Sequence, residues 1–313
     1  MAINNYIYEV YKEKSFSQAA KNLYISQPAL SASVKKVENE LGITIFDRST
    51  SPIVLTEEGK VYIESIERMR SIEDEMKNKL LDMGELKSGK IRVSGENFVS
   101  SFIMPKIIME FSKKYPGIDV ELIESNSSDL RHLLLNDSID LLIAHDFDKN
   151  LYSSVPLFEE TLLLAVPENF RENIGLEKYV LTRDDILSGK HLTDNCPKIK
   201  LKYFDEAPFL LMKKGNDTRR RASMMFSDEE FEPKTVKIYL DQLITSYNMA
   251  CFGMGIAIVN DFLIKSSLQT GCVYYKLSGR SAYRLMSIGY KKNRYCSKVM
   301  QAFIDTAKEV YKR

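Results

Sequence analysis

The densest chemistry in the chain lies in one short stretch, Ser26-Gln27-Pro28-Ala29-Leu30-Ser31, followed by Lys35-Lys36. An amide such as Gln27 pairs with adenine N6 and N7 in a DNA major groove, and a hydroxyl such as Ser31 contacts either strand. Lys35 and Lys36 suit phosphate, and a helix that opens on small side chains can bring its own amides to phosphate. Three more groups suit a small ligand. Asn97, Phe98, Ser100 and Ser101 lead into a helix start, where hydroxyls and free amides cradle an anion. His145 and Asp146 follow an apolar strand, and Asn216 and Arg219 open a later helix near Asp241. Each group has a plainer alternative. Ser100 and Ser101 equally well cap their helix, and His145 and Asp146 can satisfy each other. At least two of Arg219, Arg220 and Arg221 must point away from any one cleft, because consecutive helix positions lie about 100° apart. Catalytic signatures such as GxSxG, HExxH, a P-loop or GxGxxG do not occur, and nothing places an acid, a base and a nucleophile together. A non-enzyme is expected.

The first stretch must be held on a helix. Ser15-Phe16-Ser17-Gln18 reads as a capping box, the Ser15 hydroxyl accepting from the Gln18 amide while the Gln18 side chain reaches back. A short helix is predicted from about Phe16 to Leu23. After a tight connection at Tyr24-Ile25, Ser26 caps a second helix with Pro28 in its first turn. Leu30, Val34, Val37 and Leu41 make its apolar stripe and Gly42 ends it. That is a helix-turn-helix. From the second helix alone, a DNA-reading element and an amphipathic helix with a solvated polar face fit equally. The next segment decides. Ile43 to Phe46 and Ile53 to Leu55 are β-prone around a turn that includes Pro52, which makes a winged helix with Arg48 at the wing base, in reach of phosphate.

These residues resemble a known family. Ser15-Phe16-Ser17-Gln18-Ala19-Ala20, Leu23, Ile25-Ser26-Gln27-Pro28-Ala29-Leu30-Ser31, Val34-Lys35-Lys36-Val37-Glu38, Leu41-Gly42, Phe46-Asp47-Arg48 and Leu55-Thr56-Glu57-Glu58-Gly59 are similar to the DNA-binding signature of LysR-type transcriptional regulators. Two positions depart from that pattern: Ser51 stands where the wing often carries an arginine, and Ala32 where a polar or basic residue is common. The resemblance implies a regulator that binds double-stranded operator DNA as a dimer or tetramer, contacts RNA polymerase, and answers a small-molecule effector of unknown identity. It implies no further cofactor and no metal.

Thr56 caps the next helix, with Glu57 and Glu58 favouring its positive end. Tyr62, Met69, Met76 and Met83 recur every seven residues, with Ile66, Ile72 and Leu80 between them. Such a seam suits pairing with a second copy, and two-fold symmetry suits a palindromic site. The alternative is a helix lying on its own chain. Gly84 and Ser88-Gly89 read as a hinge.

From Lys90 onward strand and helix patterns alternate. Strands at 91–93, 120–123 and 139–144, with helices between them, predict a parallel βαβαβ arrangement. A strand at 162–166 opens a second α/β set, and strands at 274–277 and 283–290 are expected to return to the first. The family's counterpart is a two-lobed, periplasmic-binding-protein-like effector domain, with ligand between the lobes. The expected divisions are 1–58 for the winged helix-turn-helix, 59–88 for the linker helix and hinge, and 89–313 for the α/β effector domain. Within it the first lobe takes about 89–161 and 267–313, the second about 162–266. Gly253 and Gly255 read as turn glycines, and Asn260 replaces a proline common in the family.

Composition bounds the reading. The 313 residues suffice for at least two cores. Cys196, Cys251, Cys272 and Cys296 lack metal or disulfide spacing, and three histidines are too scattered for a metal centre. No apolar run approaches a membrane span and no signal peptide is read at the N-terminus, so a cytoplasmic location is expected. Net charge is +1, and residues 1–56 carry six basic and five acidic side chains. Nucleic-acid binders are often strongly basic. Near-neutrality is compatible with DNA binding when Lys35, Lys36 and Arg48 share one face.

Overall fold

The structure, a computed structural model, describes residues 2–82, 88–124 and 127–312. It divides into two compact units, residues 1–80 with 136–138, and residues 81–135 with 139–313.

The first unit opens on α1 (Ala2–Glu13), α2 (Phe16–Asn22) and α3 (Gln27–Leu41). A two-stranded hairpin follows, β1 (Phe46–Asp47) with β2 (Val54–Leu55), and then α4 (Glu57–Leu81). Ile7 and Val10 of α1 are fully buried with Ala19, Leu30, Val34, Ile45, Ile63 and Ile66. Ser15 caps α2 by accepting from the Gln18 amide, but the Gln18 side chain donates to Asn22 at 3.1 Å, so only half of the expected capping box forms. Asn22 is thereby turned to the Glu9 and Glu13 carboxylates of α1. Gly42 ends α3 in the left-handed region, at φ 69°. Gly59 has no room for a side chain, since a Cβ there would lie 2.0 Å from the Ile45 carbonyl oxygen.

The seam of α4 is divided. Ile63 and Ile66 are buried in this unit's own core and Tyr62 packs against it, as the own-chain alternative requires. Met69, Ile72, Met76 and Leu80 are exposed. Met83 and Gly84 lie outside the described residues.

The second unit contains β3 (Gly89–Gly95), α5 (Asn97–Phe102), α6 (Met104–Lys114), β4 (Ile118–Glu124), α7 (Ser127–Leu135), β5 (Leu141–His145) and the long β6 (Tyr152–Pro167). It continues with α8 (Arg183–Leu187), β7 (Lys198–Ile199), β8 (Pro208–Met212), α9 (Asp217–Asp228), β9 (Thr235–Leu240), α10 (Leu243–Cys251), β10 (Ile256–Asn260) and α11 (Asp261–Ser266). β11 (Cys272–Leu277), β12 (Tyr283–Lys291) and α12 (Lys298–Tyr311) close it. The first lobe is the order β4-β3-β5-β12-β6, parallel through β5 and antiparallel beyond. The second is β6-β10-β8-β9, with β11 and β7 on the other side of β6.

β6 serves both lobes: residues 152–161 pair with β12, and residues 162–167 pair with β10 and β11. It starts ten residues earlier than the apolar pattern predicts. Its first part carries Ser153, Ser154, Pro156 and Glu159, and is bonded on one side only, where a proline without an N–H costs no ladder bond. β11 corrects the expected lobe division. It stays in the second lobe, because Tyr275 and Leu277 are buried with Leu164, Leu201 and Phe204 there. Only β12 returns. β5 ends on His145, so that histidine closes the strand instead of following it. Among the described residues no helix is long and apolar enough to cross a membrane.

Candidate functional site

In the first unit, Ser26 caps α3 by accepting from the Ala29 amide at 3.4 Å. Burial of Leu30, Val34 and Val37 turns Ser26, Gln27, Pro28, Lys35 and Lys36 to solvent. Lys36 lies 3.9 Å from Glu40, a loose exposed pair. Lys35 has no ion pair among the described residues. Gln27, Ser31, Arg48 and Pro52 line one groove with Ser17 and Ser51. Ser31 therefore opens onto the same space as the exposed amide of Gln27.

Arg48, expected at the wing base in reach of phosphate, is also bonded within the wing. Its guanidinium donates to the Ser31 hydroxyl at 3.1 Å and to Glu38 Oε2 at 3.0 Å, and lies over the Phe16 ring at 4.7 Å. Glu38 also accepts from the Ile45 and Phe46 amides. The 8 % exposed carboxylate thus joins α3 to the wing. Arg48 is a brace that fixes Ser31 and the hairpin. The Glu38 signal was readable only as an acid on the buried side of an amphipathic helix.

In the second unit, a cavity of about 50 Å³ lies between the lobes. Asn97, Phe98, His145, Asn216 and Asp241 line it, from four separate segments. Ser100, Ser101, Asp146 and Arg219 do not. Ser100 is buried within α5 and donates to the Gly95 carbonyl, Ser101 is exposed, and neither caps α6, the helix expected to follow them, whose N-cap position is Ile103. Asp146 accepts from Arg220 and Arg221. Arg219 stacks its guanidinium over Tyr239 at 5.5 Å. Asn216 caps α9, accepting from the Thr218 and Arg219 amides.

Sequence reasoning missed Glu96, Thr218 and Arg284 in the cavity wall, and Glu160 and Asp217 behind it. Arg284, only 5 % exposed, donates from Nε to Glu160 and from one Nη to Asp217 (3.0 Å) and Thr218 (3.1 Å). His145 Nε2 is 2.8 Å from Glu160 Oε1, and Asn260 donates to Glu160 Oε2 at 3.0 Å. Asn260 also caps α11 through its oxygen, two bonds that a proline there could not make. Burial pushes the Glu160 carboxyl up, but Arg284 and His145 outweigh it and hold it below the ordinary range. Asp217 is likewise raised by burial and lowered further by Arg284, His145 and Arg221. Both carboxylates are therefore charged and spent on cations. Nothing in β12 flags Arg284 beforehand: it is one arginine in an alternating strand, and only the fold brings it to α9 and β6.

Residues 5–60 match the bacterial regulatory helix-turn-helix protein, lysR family, and residues 84–312 match the LysR substrate binding domain. The HTH-type transcriptional regulator YcgK of Bacillus subtilis (strain 168) is 25% identical over 99% of this chain and 94% of its own. A probable RuBisCO transcriptional regulator of Phaeodactylum tricornutum is 24% identical over 95% and 92%. A full-length OxyR from Pseudomonas aeruginosa has the same fold at TM-score 0.72, with 20% identity over 99% of this chain and 95% of that one. So does full-length CbnR complexed with its target DNA, at TM-score 0.65, with 17% identity over 99% of each. The exposed face of α3, the braced wing and the two-lobed sheet accord with both matched domains. The chain belongs to the LysR family of transcriptional regulators, which are not enzymes, and joins a DNA-binding helix-turn-helix to an effector-binding domain.

Proposed function

We propose that the regulator reads a partly palindromic operator with the start of α3, and that a small molecule in the inter-lobe cavity changes how it does so. The observation that carries this reading is the solvent-facing edge of α3, where Gln27 and Ser31 share one groove with the wing residue Pro52. Gln27 and Ser31 contact base edges, and Ser26 and Pro28 let the helix end approach closely. Lys35 and Lys36 take phosphate. Arg48 orients Ser31.

The exposed Met69, Ile72, Met76 and Leu80 support a homodimer through α4, assembled further into a tetramer. The effector meets Asn97, Phe98, His145, Asn216 and Asp241, to which Glu96, Thr218 and Arg284 are added here. It acts by binding two assembly shapes with different affinity, since equal affinity shifts nothing. Contact with RNA polymerase and a cytoplasmic location complete the proposal. A gel-shift assay of the full-length protein on DNA upstream of its own gene is expected to give a sequence-selective, salt-sensitive complex. Binding that competitor DNA of unrelated sequence displaces equally well contradicts the reading.

A further inference from the structure

We propose that Lys14, in the turn between α1 and α2, is a DNA-binding residue that takes a backbone phosphate on the wing side of the reading groove. This rests on reading that groove as the DNA site, and adds a contact that α3 does not supply.

Position comes first. Lys14 lines the groove with Ser17, Gln27, Ser31, Ser51 and Pro52. Its carbonyl accepts from the Ile53 amide at 3.3 Å, which ties the turn to the wing. Lys35 and Lys36 lie further along α3 and line no part of this groove. Charge comes next. The wing turn, Ser49-Thr50-Ser51-Pro52, carries none. Arg48 lines the groove too, but its guanidinium is bonded to Ser31 and Glu38. Glu13 is the acid of this wall, and its carboxylate accepts from Asn22 at 3.0 Å. Lys14 is exposed, and among the described residues its ammonium has no hydrogen bond or ion pair. A free ammonium beside walls of hydroxyl and amide is where a phosphate gains a charge-assisted bond.

The backbone is an independent indication. Lys14 sits at φ 50°, just past the end of α1. Glycine takes that left-handed conformation without strain and commonly ends helices, whereas a Cβ there is costly. By local structure alone glycine is the better residue. A cation near the negative end of α1 is a second structural role, but Lys12 already fills it in the last turn. What Lys14 adds is a charge with long reach at the edge of the groove. With Lys35 and Lys36 further along α3, the duplex backbone is then held at two points. That fixes the register in which Gln27 and Ser31 meet the bases.

The test is fluorescence anisotropy of the full-length protein on DNA upstream of its own gene and on a scrambled duplex, across a salt series. Lys14→Gly suits the backbone, so thermal stability should hold or rise. Its affinity is expected to fall about threefold or more on both DNAs near 0.1 M salt, with their ratio unchanged, and the slope of log K against log salt should become shallower by about 0.9 per subunit. Lys14→Gln should do the same, and Lys14→Arg should keep the native affinity and slope. Native affinity and slope in Lys14→Gly overturn the proposal, as does an equal loss in Lys14→Arg, which marks a structural role. A fall on the upstream DNA alone also overturns it, since a phosphate contact carries no sequence information. The two readings fail separately. If Lys14→Gly gives the shallower slope while Gln27→Ala with Ser31→Ala keeps full selectivity, the phosphate contact stands and base reading by α3 falls. If the double variant loses selectivity and Lys14→Gly changes nothing, base reading stands and the Lys14 contact falls.

Discussion

Arg284 holds two carboxylates that would otherwise repel each other across the lobes. Its side chain is 3 % exposed, and Glu160 and Asp217 are 1 % and 15 % exposed. Removing one partner of a buried pair leaves an uncompensated charge, which costs roughly 3–5 kcal/mol. Arg284→Met is therefore expected to lose about that much stability in chemical denaturation, and a loss within about 0.5 kcal/mol, the usual surface value, would contradict the network. Asp261 makes a second prediction. Burial raises its carboxyl, but hydrogen bonds from His191 and Lys265 outweigh that and hold it at about 2, below its ordinary 3.8. A lowered folded value means stability that is present above the unfolded value and lost as pH falls toward 2, on the order of 2 kcal/mol. Asp261→Asn should flatten the fall in stability between about pH 4 and pH 2 relative to the native chain. An unchanged acid limb tells against these bonds.

The α4 helix shows how one heptad seam serves two ends. Tyr62, Ile63 and Ile66 face this unit's core, and Met69, Ile72, Met76 and Leu80 face solvent. Replacing Met69 and Met76 together with Asp leaves the buried half intact, so monomers are expected by light scattering with helix content retained. A native-sized oligomer would place the interface elsewhere. The elements were legible to different depths. α2, α3 and their caps could be read because Ser15, Ser26, Pro28 and Gly42 act locally. α1 was missed although Ile7 and Val10 sit three apart with Tyr6 and Tyr11 beside them, because no cap marks its start. The opening part of β6 was missed because a strand bonded on one side tolerates Pro156 and polar residues. Five of nine expected cavity residues line the cavity, since each sits at an element end. Glu160 and Arg284 depend on a pairing 124 residues apart, which no local pattern records.

Across the whole molecule, the +1 net charge sets an expectation about affinity. With Arg48 engaged in the wing, Lys35 and Lys36 are the exposed cations of the α3 face. Few phosphates are then neutralised per subunit, and the slope of log K against log salt should be about −2 to −4 per subunit. A slope near −10 per subunit would require a basic surface not found on this face. Weak single-subunit binding makes discrimination depend on linking several readers, which multiplies affinity without new contacts. On the proposed reading, operator choice is then coupled to the seam of α4, and spacing and DNA shape are the sensor's means of control.

Base reading by α3 is measured most directly by the ratio of affinities for operator and scrambled DNA, by fluorescence anisotropy at fixed salt, for the native chain and for Gln27→Ala with Ser31→Ala. Each lost base contact is worth about 1–3 kcal/mol of discrimination. The double variant is predicted to lower the ratio at least tenfold, with unchanged circular dichroism and near-native affinity for scrambled DNA. A ratio that survives the double substitution would contradict the assignment of α3 as the reading helix.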